Sequence, residues 1–205
     1  SWTVVNLTNP FCMLSGLQQN TSYMARVRTF CEEGLASPYY SLSFKTSCVS
    51  GGPLVTIGDN STYGTDVFPT NICYNYSYNQ QIYLASEIGG AREISEIDLQ
   101  CFNQTTRVRD MEVYLGHTDK QYFSNNADWI PYTELQLVYS GEITFNDTHE
   151  GYWLPIVLDS SFAYNGSDNL VIVFRDNSGW WQCDGQRFYT HPSSGSRTLY
   201  AYRDG

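Results

Sequence analysis

The sequence predicts an all-β protein: runs of residues alternate apolar and polar with a period of two, turn residues punctuate them at short intervals, and no stretch carries a helical apolar stripe. A chain of 205 residues is long enough for one large β domain or two small ones, each with its own core. Aromatic residues make up 16% of the chain and 17 are Tyr, a composition that suits strands and adaptable polar contact surfaces.

Charge divides the chain. Residues 1–48 hold three Lys or Arg and two Asp or Glu, which leaves eight and nineteen for residues 49–205. The change falls at Cys48-Val-Ser-Gly-Gly-Pro53, where two flexible glycines precede a ring that rejects helix. The expected organisation is a first module over 1–48, a linker over 49–53 and a second module over 54–205.

In the first module the pattern predicts strands over 2–7, 11–14, 23–30 and 39–46, with Tyr23, Ala25, Val27 and Thr29 alternating against Met24, Arg26 and Arg28. In the second, Ile97, Leu99 and Cys101 alternate with Asp98 and Gln100, and Met111, Val113 and Leu115 alternate with Glu112 and Tyr114. Leu154, Ile156 and Leu158 follow the same period. These are half-buried strands. Residues 170–174, Leu-Val-Ile-Val-Phe, are apolar on both faces and predict a central strand covered on each side. Gly58-Asp59-Asn60, Asn165-Gly166, Asn177-Ser-Gly179 and Asp184-Gly185 supply residues that tolerate positive φ in turns. The resulting expectation is a sandwich of about eight to ten strands, of jelly-roll type.

Two resemblances extend this reading. Leu14-Ser-Gly-Leu17-Gln-Gln-Asn-Thr21-Ser-Tyr23, followed by Ala25-Arg-Val27-Arg, Ser37 and Phe44-Lys-Thr46, resembles the second half of a fibronectin type III domain, where a Leu and a Tyr flank a corner between strands. The first module would then be a partial domain of that family. Over residues 54–205, Thr56-Ile-Gly-Asp59, Phe68-Pro-Thr, Tyr74-Asn-Tyr-Ser-Tyr-Asn-Gln80, Val113-Tyr-Leu-Gly-His-Thr118, Trp129-Ile-Pro131 and Val138-Tyr-Ser-Gly141 occur in an order that resembles jelly-roll modules in secreted surface proteins of gut and oral Gram-negative bacteria. Those modules are of the cleaved-adhesin and haemagglutinin type. The resemblance implies export, a cell-surface or secreted location, and adhesion in place of catalysis.

Composition and motifs narrow the chemistry. A net charge of −10 argues against nucleic acid, whose phosphates are held by clustered Lys and Arg. The apolar runs are too short to span a membrane, so no insertion is expected within this chain. The six cysteines, Cys12, Cys31, Cys48, Cys73, Cys101 and Cys183, form no CxxC pair, which removes a zinc knuckle or thioredoxin-type site; their even number suits an oxidising compartment. Cys12 and Cys31, near the ends of neighbouring antiparallel strands, form a candidate pair, although the connectivity is not fixed by sequence. Sequons begin at Asn6, Asn20, Asn60, Asn75, Asn103, Asn146 and Asn165.

Of the three histidines, His117, His149 and His191, none sits in a hydrolase signature, and His117 reads as a turn residue after a strand. Glu87, Glu93, Glu96 and Asp98 are the carboxylates from which a glycosidase pair would be drawn, but Glu96 and Asp98 share an outward phase that reads as a solvated face. The chain is therefore not expected to be an enzyme.

The candidate site is the segment 176–187. Trp180 and Trp181 between Gly179 and Gln182 offer a platform for sugar rings or protein side chains, with Arg187 and Tyr189 adding hydrogen bonds to a hydroxylated ligand. The alternative has one ring plugging the end of the sandwich. Asp176 and Asp184 are candidate ligands for a structural calcium, a hard cation held by oxygens. The expected function is a non-catalytic surface binding module for a glycan or a host extracellular protein. Its rivals are an accessory substrate-binding domain of a larger secreted hydrolase, peptidase or glycoside hydrolase, and a structural spacer without ligand.

Overall fold

The computed structural model describes residues 4, 17, 21–30, 35–45, 54–58, 64–102, 106–145, 151–183 and 185–205. The chain divides into two compact units, Ser1–Val49 and Ser50–Gly205.

The described part of the first unit is an antiparallel hairpin of β1 (Ser22–Val27) and β2 (Tyr40–Lys45), in which Tyr23 pairs with Phe44 and their rings stack at 5.9 Å. The strands are shorter than the expected 23–30 and 39–46. After Val27 the ladder gives way to a single bridge between Phe30 and Ala36, where the Arg28 guanidinium lies over the rings of Phe30 and Tyr39 at 4.5 and 4.7 Å. Apart from Val4, which is in no strand, the expected strands 2–7 and 11–14, together with Cys12, Cys31 and Cys48, lie outside the described residues.

The second unit is a sandwich of antiparallel sheets. Among the described residues its strands are β3 (Gly64–Asp66), β4 (Tyr76–Tyr83), β5 (Arg92–Phe102), β6 (Arg107–Thr118), β7 (Gln136–Phe145), β8 (Tyr152–Tyr164), β9 (Asn169–Asp176), β10 (Arg187–Thr190) and β11 (Thr198–Arg203), with a helical turn, α1 (Ala85–Ile88), and a 3-10 turn at Tyr132–Glu134. One sheet runs β3-β10-β5-β8 and the other β11-β4-β9-β6-β7. Most spatial neighbours are distant in sequence, so strands cross between the sheets instead of forming a meander.

The period of two explains how the sheets meet. Cys101, Leu154, Ile156, Leu158, Phe162 and Phe188 of the first sheet pack on Met111, Val113, Leu115, Ile172 and Phe174 of the second, in one buried cluster. Strand β9 is central and covered on both faces: Ile172 and Phe174 enter this core, whereas Val171 and Val173 enter a second cluster on the outside of the five-stranded sheet. Residues 119–135 cover that outer cluster with Phe123 and Ile130. The fully buried Gln80 fixes the cover. Its Oε1 accepts from the Ile130 N–H at 3.0 Å, and its Nε2 donates to the Ile130 carbonyl at 2.6 Å.

Turns follow the residue chemistry. At Asn165-Gly166, the glycine has φ +78°, and a Cβ there would meet the Ala91 backbone nitrogen at 2.2 Å. The Asn165 Oδ1 accepts from the N–H groups of Ser167 and Asp168, closing an Asx turn. His117 departs from its expected place in a turn. It lies within β6, tilts against Phe162 at 4.9 Å, and its Nε2 accepts from the Asn165 N–H at 3.0 Å. Among the described residues no helix is long and apolar enough to cross a membrane.

Candidate ligand-binding loop

Two charged residues sit in core-facing phases at the ends of neighbouring strands. On β6, Arg109 shares its phase with Met111, Val113 and Leu115; on β9, Asp176 shares its phase with Ile172 and Phe174. The register places Met111 opposite Asp176, so the Arg one pair further along reaches the carboxylate. Arg109 Nε donates to Asp176 Oδ2 at 2.7 Å, and both side chains are fully removed from solvent.

The remaining donors and acceptors tie three segments together. Arg109 Nη1 donates to the Trp180 carbonyl at 2.7 Å and Nη2 to the Tyr74 carbonyl at 3.0 Å. Asp176 Oδ2 also accepts from Thr70 Oγ1, while Oδ1 accepts from both the N–H and Oγ of Ser178. A buried ion pair offsets its desolvation only when its polar atoms find partners, and here both carboxylate oxygens and all three guanidinium nitrogens are engaged.

Main-chain bonds then fasten the loop that follows β9. Asn177 N–H donates to the Asp110 carbonyl at 2.8 Å, Gly179 to Asn75 at 3.0 Å and Gln182 to Ile72 at 2.8 Å. A disulfide joins Cys73 to Cys183 across the same two loops. Gly179 takes φ +74°, which lets the chain turn toward the tryptophans.

Held in this way, the loop leaves both indoles in contact with solvent. Trp180 is 42% exposed and Trp181 63% exposed, so neither plugs the end of the sandwich. The Trp180 ring lies over the Arg109 guanidinium at 4.8 Å. Beside this region Tyr74 stacks on Tyr202 at 3.9 Å. Its hydroxyl is pushed above the usual phenol range by desolvation first, and then by its hydrogen bond to Tyr202.

The other expected site residues have different roles. Arg187 and Tyr189 lie on β10 in the four-stranded sheet, flanking the core-facing Phe188, so by alternation they face that sheet's outer side. Both are half-buried. The calcium expectation for Asp176 is also revised. Its two oxygens already accept four hydrogen bonds, which fill the lone-pair directions a cation would need. Asp184 lies outside the described residues, and among those described no group of three or more His, Cys, Asp or Glu is placed to hold a metal.

On the outer face of the four-stranded sheet, Glu96 and Asp98 are close neighbours on β5. Desolvation first, with the neighbouring carboxylate adding to it, raises the Glu96 pKa; desolvation also raises that of Asp98 against the lowering effect of Glu96. Trp153 pairs with Gln100 on the adjacent strand and is 44% exposed. Of the sequons, Asn75 and Asn165 fall among the described residues. The Asn165 side-chain nitrogen donates to Asp168 Oδ2 at 2.7 Å.

Arg109, Thr70 and the Cys73–Cys183 pair were not singled out from sequence. A signal for Arg109 was present, since an arginine in the same phase as three core residues must either leave the core or find an anion in it. The disulfide carried no such signal, because its partners are 110 residues apart.

Comparisons with protein-family models, with curated proteins and with solved structures give no match to this chain. The fold class rests on the sheets themselves: an antiparallel β-sandwich.

Proposed function

We propose that this chain is a non-catalytic binding module of a secreted or cell-surface protein, and that it holds a glycan on the loop bearing Trp180 and Trp181. The observation that carries this reading is the exposure of two adjacent indoles on a segment fixed by a buried ion pair, three main-chain bonds and a disulfide. A spacer gains nothing from exposing two large apolar rings on a rigid loop, whereas a sugar ring stacks its C–H face on such a surface. The net charge of −10 favours an uncharged glycan over a polyanion. The disulfide supports an oxidising compartment.

The strand order supports the jelly-roll part of the reading. Counting β3 as the first strand and β10 as the eighth, the sheets run first-eighth-third-sixth and second-seventh-fourth-fifth, with β11 added at an edge. Two interleaved Greek keys generate that order.

The test is an array of neutral, sialylated and sulfated oligosaccharides together with extracellular-matrix proteins, probed with the full chain and with Trp180→Ala/Trp181→Ala. Binding to neutral oligosaccharides should fall at least tenfold in the double variant, given the ~1.5–3 kcal/mol that burying a large apolar side chain contributes. Unchanged glycan binding in that variant, or binding confined to proteins, would refute the assignment.

A further inference from the structure

We infer that Arg109, which is buried away from any ligand, is the residue that sets the orientation of Trp181. This rests on the reading of the loop as a glycan site. Each peptide unit is planar, so the backbone angles of a residue are fixed when the peptide planes on either side of it are fixed. The plane before Trp181 contains the Trp180 carbonyl, which accepts from Arg109 Nη1 at 2.7 Å. The plane after it contains the Gln182 N–H, which donates to the Ile72 carbonyl at 2.8 Å. The most exposed residue of the platform is thus pinned from below on both sides. Arg109 supplies one of the two pins.

Arg109 acts on Trp180 as well. Its guanidinium carries the Trp180 ring at 4.8 Å while its other nitrogens hold Asp176 and the Tyr74 carbonyl. Only a planar, forked cation supplies these bonds and a stacking face at once; a lysine at the same position keeps the charge and loses the fork. A free loop would have to order both rings when ligand binds, and ordering large side chains at an interface weakens affinity. Arg109 removes that cost in advance. It is a positioning residue that never touches the sugar.

The experiment uses the full chain and the oligosaccharide bound best on the array, with affinity measured by calorimetry well below the unfolding temperature. Indole 1H–15N signals, assigned by single Trp→Phe variants, are recorded in parallel. Arg109→Lys should bind roughly tenfold more weakly. The Trp180 and Trp181 signals should move while those of Trp129 and Trp153 stay. Gln80→Met, which loosens the fold at the 119–135 cover, should lower the unfolding temperature and shift the Trp129 signal, which lies in that cover, while leaving affinity and the Trp180 and Trp181 signals in place.

Should Arg109→Lys fail to fold, Arg109→Met/Asp176→Leu replaces the ion pair by apolar groups of similar volume, a change such pairs often tolerate. The same loss of affinity is expected from it. Wild-type affinity in a folded Arg109 variant, unmoved Trp180 and Trp181 signals, or an equal loss in Gln80→Met would overturn the inference. Unchanged binding in Trp180→Ala/Trp181→Ala would instead overturn the glycan site itself, while the indole signals would still decide whether Arg109 orders the loop.

Discussion

Replacing Asp176 by Ala should lower the unfolding free energy by about 3–5 kcal/mol, the range for removing one member of a buried ion pair. For a domain of this size that corresponds to a fall in melting temperature of roughly 6–20 °C. The size of the effect comes from what is left behind. Arg109 would remain fully buried without its carboxylate, and Thr70 and Ser178 would each lose their acceptor. The pair itself is not a large net stabiliser, because two charges are desolvated to form it. Arg109→Met/Asp176→Leu leaves no charge buried and should therefore cost less than Asp176→Ala, although it too removes these partners from Thr70, Ser178 and the Trp180 and Tyr74 carbonyls. Thermal and urea unfolding of the three proteins checks this ordering; a single-variant cost below about 1 kcal/mol would mean that the carboxylate is not the anchor described here.

Removing the disulfide with Cys73→Ser/Cys183→Ser should cost about 2–5 kcal/mol. The bridge closes a segment spanning a sequence separation of 110, so in the chain-entropy view it restricts the unfolded ensemble strongly. Its loss should also loosen the segment that carries the tryptophans, since Cys183 follows Gln182 and Cys73 follows Ile72, the partners of the neighbouring main-chain bond. Exchange within the folded protein is not expected to scramble it through Cys101. That thiol is buried, and burial pushes its pKa up to about 12, so at neutral pH it supplies almost no attacking thiolate. Urea unfolding with and without reductant measures the effect. Coincident midpoints for oxidised and reduced protein would count against it.

Much of the architecture was readable because alternation leaves so little freedom. Once Met111, Val113 and Leu115 face a core, Glu112 and Tyr114 face away from it, and the same holds for Leu154, Ile156 and Leu158 on β8. The unbroken apolar run at 170–174 marked β9 as a strand with two covered faces, and its neighbours β4 and β6 bear this out. What alternation does not encode is which strand lies beside which. The placement of β10 between β3 and β5 depends on long connections whose course no local pattern records.

The site was legible in part. Exposure of both Trp180 and Trp181 was one of two readings open in the sequence: two large rings between turn residues have no strand's buried face on offer, but one of them could still have plugged the end of the sandwich. Arg187 and Tyr189 belong to a strand and not to the loop: β10 begins at Arg187, and its alternation turns both away from the core side of Phe188. Asp176 also sits on a strand. An Asp beside Asn177, Ser178 and Gly179 has the composition of a cation-binding loop, yet its phase on β9 carries it inward to Arg109, and Ser178 turns back to cap it. The discriminating feature was on a different strand, 67 residues away in sequence.

The glycan site itself is tested most directly by titrating the full chain with the array-selected oligosaccharide while following the indole 1H–15N signals. The five tryptophans include Trp153, which is 44% exposed on the outer face of the other sheet and so serves as an internal competitor. The account predicts that the Trp180 and Trp181 signals shift in step with saturation and that the Trp153 signal does not. Movement of Trp153 with Trp180 and Trp181 unchanged would contradict it.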